Sequence, residues 1–406
     1  MNRTLKIGGC AAAITVVIAA FAPLPVYAAK ERVLYSFAGG SDGAFPEAGL
    51  VMDAQGNLYG TTEEGGSSEC GGSGCGTVFK LAPDGTETVL HAFSETGDGM
   101  YPIAALAIDS AGNLYGTTFN GGDSGGGVVF RVTPKGKETL LHSFGTGSDG
   151  SRPDAGLVID DAGNFYGTTS GGGAAGHGTV FRITPSGKER VVYSFAGGSD
   201  GAYPAAGLMR DAGGNFYGTT ANGGLDCDGT GQGCGTVFRV TPRGKETVLH
   251  AFKGGAHGAN PAAGVVMDAD GNLYGTTNNG GVVCDDSGAT CGTVYKLAAN
   301  GKETGLHSFT AGSDGAYPRS TLVLDTNGAL YGTTASGGAG SGECGCGVVF
   351  KITRKGEEKI LHTFGGDDAH SPFAGVIMDA SDNLYGTGFV GGANGGGGVF
   401  EILRQR

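Results

Sequence analysis

One tetrapeptide sets the limits on this fold. Tyr-Gly-Thr-Thr, or a variant differing at one residue, begins at Tyr59, Tyr115, Tyr166, Tyr217, Tyr274, Tyr331 and Tyr385, at spacings of 51 to 57 residues. Each copy carries four extended segments, in the first copy Gly49–Asp53, Leu58–Thr62, Thr77–Leu81 and Glu87–Phe93. Short Gly- and Asp-bearing turns of the hairpin kind separate them, such as Asp53–Asn57 and Ala82–Gly85. Four strands in about 50 residues is the length of a β-propeller blade. No sustained helical period interrupts the pattern after the first 28 residues.

The phase of the two ends decides between a ring and an open stack. Arg32–Phe37 matches the fourth strand of a unit, whereas Gly398–Leu403 matches the third. The last unit lacks its outer strand and the N-terminal stretch has one to spare. Pairing them completes seven four-stranded blades and leaves no unpaired end. The expectation is an all-β, seven-bladed propeller closed by the N-terminal strand.

Three aromatic slots recur in every unit: the Tyr of the tetrapeptide, a third-strand ring (Phe79, Phe130, Phe181, Phe238, Tyr295, Phe350, Phe400) and the Phe ending the fourth strand (Phe37, Phe93, Phe144, Phe195, Phe252, Phe309, Phe364). Packing between blades is their expected role. Ala-Gly pairs such as Ala155-Gly156 and Ala263-Gly264 precede most first strands, where seven backbones crowd the axis. Glycine fills 85 of 406 positions, roughly three times the usual share. Divided among seven blades, it marks tight turns rather than disorder.

The run Gly56-Asn57-Leu58-Tyr59-Gly60-Thr61-Thr62, followed by Gly76-Thr77-Val78-Phe79-Lys80 and repeated along the chain, resembles the bacterial extracellular Gloeo/Verruco (GloVer) repeat. Proteins carrying it are often named choice-of-anchor tandem repeat proteins. The resemblance implies an extracellular repeat protein and brings no catalytic residues with it.

Residues 1–28 read as a secretory signal, with Arg3 and Lys6, an apolar run from Ala11 to Ala22, and Val26-Tyr27-Ala28 as the cleavage pattern. The propeller is expected over 29–406, secreted or periplasmic, with no anchor after the polar Arg404-Gln405-Arg406. Loss of the signal takes the net charge from −13 to −15. That balance opposes nucleic acid and anionic membrane surfaces as partners. A monomer is expected.

Eight cysteines remain, all in the loop between the second and third strands: Cys70 and Cys75, Cys227 and Cys234, Cys284 and Cys291, Cys344 and Cys346. These four loops are 12 to 14 residues long, and the three cysteine-free ones are eight. Export and pairing within each loop make disulfide staples the expected state. Two cysteines without a neighbouring histidine make a poor zinc site, so no metal is expected there.

The cysteine loops share a face with the inter-blade loops, and variable loops on a rigid frame are the usual home of binding. The inter-blade loops carry Asp42, Asp98, Asp149, Asp200 and Asp314, with the aromatics Phe45, Tyr101, Tyr203 and Tyr317. This ring admits three readings. Aromatic stacking and carboxylate hydrogen bonds suit a glycan or another extracellular ligand. A Ca²⁺ near the axis would need six to eight oxygens. Alternatively, Asp-Gly-x-x-Pro is a turn that repeats because the blade repeats. Five histidines (His91, His142, His250, His307, His362) share one fourth-strand slot and read as structural. His257 and His370 are irregular and lie on inter-blade loops, leaving a hydrolase or lyase with a polar axial site as the alternative to a binding or structural module. No nucleophile elbow, phosphate loop or metal-ligand spacing accompanies them.

Overall fold

The hairpin turns show why the repeated residues are the ones they are. Asp53 accepts hydrogen bonds from the backbone N–H of Gln55 and Asn57 (both 2.9 Å), from Asn57 Nδ2 (2.7 Å) and from the Tyr59 hydroxyl (3.0 Å). Gly56 completes the turn at φ +80°, a conformation that favours glycine. Burial pushes the Asp53 carboxyl up, but the donors from Asn57 and Tyr59 outweigh it and hold the group below its ordinary value. The same clamp holds Asp109, Asp211 and Asp268 on Tyr115, Tyr217 and Tyr274. One side chain thus fixes both the turn and the register of the strand beyond it.

Built from these hairpins, the computed structural model describes residues 31–404 apart from 96, 146, 228, 230, 285–287, 339–344 and 367. The signal segment 1–28 lies outside the described residues. The chain is a seven-bladed propeller of four-stranded antiparallel sheets. In the first blade Val51–Met52, Leu58–Thr62, Thr77–Leu81 and Glu87–Ala92 run from the axis outward. The seventh sheet combines Ile377–Met378, Leu384–Gly388 and Gly398–Ile402 with the N-terminal strand Glu31–Ser36, which pairs antiparallel to Gly398–Ile402.

The first strand is shorter than the expected Gly49–Asp53, for a physical reason. Pro46 lacks an N–H and Phe45 has φ +59°, so the chain arches away from the second strand before Val51. The freed carbonyl of Ala48 accepts the Thr387 hydroxyl of the seventh blade at 2.8 Å. Equivalent pins run from Thr117 to Ala155, Thr168 to Ala206, Thr219 to Ala263, Thr276 to Ser320 and Thr333 to Ala374. The first Thr of the tetrapeptide therefore fastens each of these blades to the next.

The aromatic slots lock the same seams. Each fourth-strand Phe meets the third-strand ring of the following blade edge-to-face, with centroids 5.0 to 5.2 Å apart, from Phe37–Phe79 round to Phe364–Phe400. The third-strand ring also covers the tetrapeptide Gly. A Cβ on Gly116 would stand 2.5 Å from Phe130. At the axis, a Cβ on Gly156 or Gly264 would press within 3 Å of the preceding blade's carbonyl oxygen, so the crowding expected there is present at these positions.

Three disulfides join Cys70 to Cys75, Cys227 to Cys234 and Cys284 to Cys291, with Cα separations of 5.3, 5.9 and 6.0 Å, all within the ordinary range. Cys344, of the fourth expected pair with Cys346, lies outside the described residues. Disulfides suit an oxidising compartment. Each closes a short ring, so reduction is expected to cost about 2 kcal/mol per bridge. Thermal melts with and without reductant measure this, and an unchanged midpoint would show that the bridges add nothing to stability.

Candidate functional site

The loop face is built from three residues per blade. The residue before each inter-blade proline comes first: Phe45, Tyr101, Arg152, Tyr203, Asn260, Tyr317 and Ser371. All seven have φ between 55° and 60°, an uncommon conformation for residues other than glycine. Backbone bonds to two blades hold them there. Tyr101 donates its N–H to the carbonyl of Cys75 in the preceding blade, while its own carbonyl accepts from Phe119. Asn260 and Tyr317 donate in the same way to Cys234 and Cys291. The second cysteine of each described staple thus positions a rim residue of the next blade.

The second position follows the tetrapeptide: Glu63, Phe119, Ser170, Ala221, Asn278, Ala335 and Phe389. The third follows the proline and lines the axial channel, a cavity of about 490 Å³. There the blades place Glu47, Ile103, Asp154, Ala205, Ala262, Arg319 and Phe373, a different chemistry in nearly every blade.

These positions make an asymmetric mouth. Phe45, Phe389 and Phe373 form a continuous aromatic wall, with centroids 5.3 and 4.8 Å apart. The Arg319 guanidinium lies over Phe373 at 5.8 Å and donates to Asn278 Oδ1 at 2.9 Å. Arg152 lies over Phe119 at the same 5.8 Å. Burial pushes the Glu47 carboxyl up to about 7, with Glu63 and Asp154 reinforcing the shift and Arg319 opposing it. Burial also pushes Asp154 up to about 6, against the pull of Ser170 and Arg152. Asp154 Oδ1 is buried without a hydrogen-bond partner.

None of the aspartates singled out from the sequence lines the channel, and each is engaged by its own loop. Asp42 accepts from the Tyr35 hydroxyl at 2.5 Å and the Ala38 N–H at 2.6 Å, and Asp200 does the same with Tyr193 and Ala196. Asp98 takes Ser94 and His91, Asp149 the Gly145 N–H, and Asp314 both donors of Thr310. The aromatics chosen with them, Phe45, Tyr101, Tyr203 and Tyr317, do occupy the rim. Among the irregular histidines, His257 pairs with Glu303 at 2.8 Å and His370 lies 3.2 Å from Ser371 Oγ; neither lines the channel.

Glu47, Asp154, Arg319, Phe373 and Phe389 were missed by sequence reasoning. A signal for the first four was present: the slot after the inter-blade proline is one where otherwise uniform copies disagree in charge and size.

Solved structures with related folds include a gluconolactonase from Xanthomonas campestris (16% identity, 75% of this chain and 86% of that chain, TM-score 0.43). A protein from Bacteroides uniformis described as a 6-phosphogluconolactonase matches at 16% identity over 78% and 84% of the two chains, TM-score 0.49. The extracellular domain of a one-component system from B. thetaiotaomicron matches at 12% identity over 88% of this chain and 46% of that one, TM-score 0.48. No curated protein matches the chain in sequence. The Gloeobacter/Verrucomicrobia repeat, by contrast, matches residues 25–231, 68–281 and 227–405, nearly the whole of the propeller. With its tetrapeptide pins, clamped turns and stapled loops now placed in one ring, the chain belongs to the Gloeobacter/Verrucomicrobia repeat family.

Proposed function

We propose that this protein is an extracellular binding module that takes a glycan at the axial mouth of its loop face. The observation that carries this reading is the contrast between a uniform frame and a mouth whose chemistry differs from blade to blade. The wall of Phe45, Phe389 and Phe373 offers ring faces to the apolar side of a sugar. Below a pH of about 7, Glu47 keeps its proton and donates a hydrogen bond as well as accepting one. Arg319 supplies a fixed donor beside them, suited to a ring oxygen or a sugar carboxylate.

A second reading rests on the two raised carboxyls. Glu47, near 7, and Asp154, near 6, are both raised toward neutral pH, the range in which an acid and base for glycosidic hydrolysis or elimination work. One experiment separates the readings. A glycan array on the mature protein is followed by titration of any hit against the wild type, F389A and E47Q. Binding at least tenfold weaker in F389A, and weakening in the wild type as pH rises through 7, is expected of the module. No glycan bound, or F389A binding as tightly as the wild type, would remove the proposal. Turnover of the hit by the wild type but not by E47Q would establish the enzyme instead.

A further inference from the structure

Away from the mouth, every seam carries a polar group of repeated composition. The fourth strand of one blade offers His or Tyr, the loop after it usually offers Asp, and the next blade's fourth strand opens with Glu. Four seams combine His, Asp and Glu: His91/Asp98/Glu138, His142/Asp149/Glu189, His307/Asp314/Glu358 and His362/Asp368/Glu31. Among the described residues, the last alone brings one ligand atom from each side chain within 4.8 Å of the other two. Its histidine Nε2 stands 3.1 Å from Asp368 Oδ2, which also accepts the Gly365 N–H at 2.7 Å. The Glu31 Oε1 atom is buried and has no hydrogen-bond partner.

The sequence of this seam also differs from that of its sisters. From histidine to aspartate is six residues here and seven at His91–Asp98, His142–Asp149 and His307–Asp314. The histidine–aspartate distance is the same 3.1 Å at His91–Asp98, so what sets this seam apart is that Glu31 also comes within reach of both groups. Phe364, edge-on to His362 at 4.9 Å, braces the imidazole.

We propose that Glu31, His362 and Asp368 form a site for a divalent first-row transition ion, with zinc its first candidate, that clips the N-terminal strand to the sixth blade. One imidazole and two carboxylates are a borderline donor set, suited to zinc rather than to calcium or magnesium, which prefer oxygen ligands alone. Three protein ligands at 2.0 to 2.2 Å leave a fourth position for water. A tetrahedral ion of that size needs donor atoms roughly 3.4 Å apart, which side-chain rotation reaches from the present spacing. Glu31 belongs to the strand that closes the ring, whereas His362 and Asp368 belong to the blade before it. The ion would therefore tie the closing strand to the neighbouring blade, where backbone pairing to Gly398–Ile402 gives no hold.

The test is calorimetric titration of the tag-free mature protein with zinc chloride in chelator-free buffer, alongside thermal melts. One equivalent bound at micromolar affinity is expected, with a melting midpoint several degrees higher that EDTA returns to baseline. His362→Gln and Glu31→Ala should each lower the affinity at least tenfold, while their circular dichroism spectra in EDTA match the wild type and report an intact fold. His307→Gln, in a sister seam, should leave binding unchanged. Absence of stoichiometric binding would overturn the site. So would a loss in His307→Gln equal to that in His362→Gln, or calcium binding as tightly as zinc.

Discussion

A chain beginning after Phe37 is expected to lose its folded monomer. The missing segment carries Leu34, Tyr35 and Phe37, which pack against the cluster of Leu50, Leu58, Phe79, Leu81 and Val399, with Phe37 itself fully buried. At about 1.5 to 3 kcal/mol for each large apolar side chain, their removal costs roughly 5 kcal/mol or more, the scale of a domain's entire stability. It also uncovers Gly398–Ile402 as a strand edge beside an exposed apolar face. The expected outcome is unfolding at ambient temperature or self-association through that edge, read by circular dichroism and size-exclusion chromatography. A truncated monomer melting within a few degrees of the intact protein would show that six complete blades hold the seventh without help.

The second large effect is a stability that falls as solution turns alkaline. Burial, reinforced by the aspartate of the same seam, pushes Glu31, Glu87, Glu189, Glu246 and Glu358 up to about 7. A carboxyl held above its ordinary value contributes stability that is complete below about pH 4.5 and is lost as pH rises through 7. His142, His250, His307 and His362 run the other way. Burial holds them below their usual value, so their contribution is complete above 6.5 and lost in acid. The seams of Glu87 and Glu246 carry Tyr35 and Tyr193 in place of histidine, which makes them the clean test. The double variant E87Q/E246Q should melt a few degrees above the wild type at pH 8 and level with it at pH 4.5. That corresponds to about 1 kcal/mol for each half-buried group once solvent screening is allowed for. An equal shift at both pH values would show that packing, not charge, is responsible.

These two expectations differ in how far the sequence foretells them. Strand order, blade number and the pairing of Glu31–Ser36 with the last blade follow from periodicity, because a repeated hydrophobic and turn pattern is a direct image of a repeated sheet. The aromatic seams follow for the same reason. The mouth does not. Asp42, Asp98 and Asp200 were conspicuous because they recur, and they recur because each closes the loop that holds it. Glu47, Asp154 and Arg319 sit where copies differ, so a search for repeats passes over them. The seam of Glu31 and His362 was hidden differently, since its two halves stand at opposite ends of the sequence and meet only when the ring closes.

The rim residues before the prolines carry a last consequence. Their left-handed backbone is clasped on both sides through main-chain atoms, a hold that does not depend on which side chain the residue carries. The constraint on identity is then one of shape: β-branched residues sit badly at positive φ, and the seven slots hold Phe, Tyr, Arg, Tyr, Asn, Tyr and Ser. Within that restricted alphabet the residue each blade displays can change while the main-chain clasp stays the same. Exchange of whole units between copies would reorder these residues while the wheel that displays them keeps turning out the same.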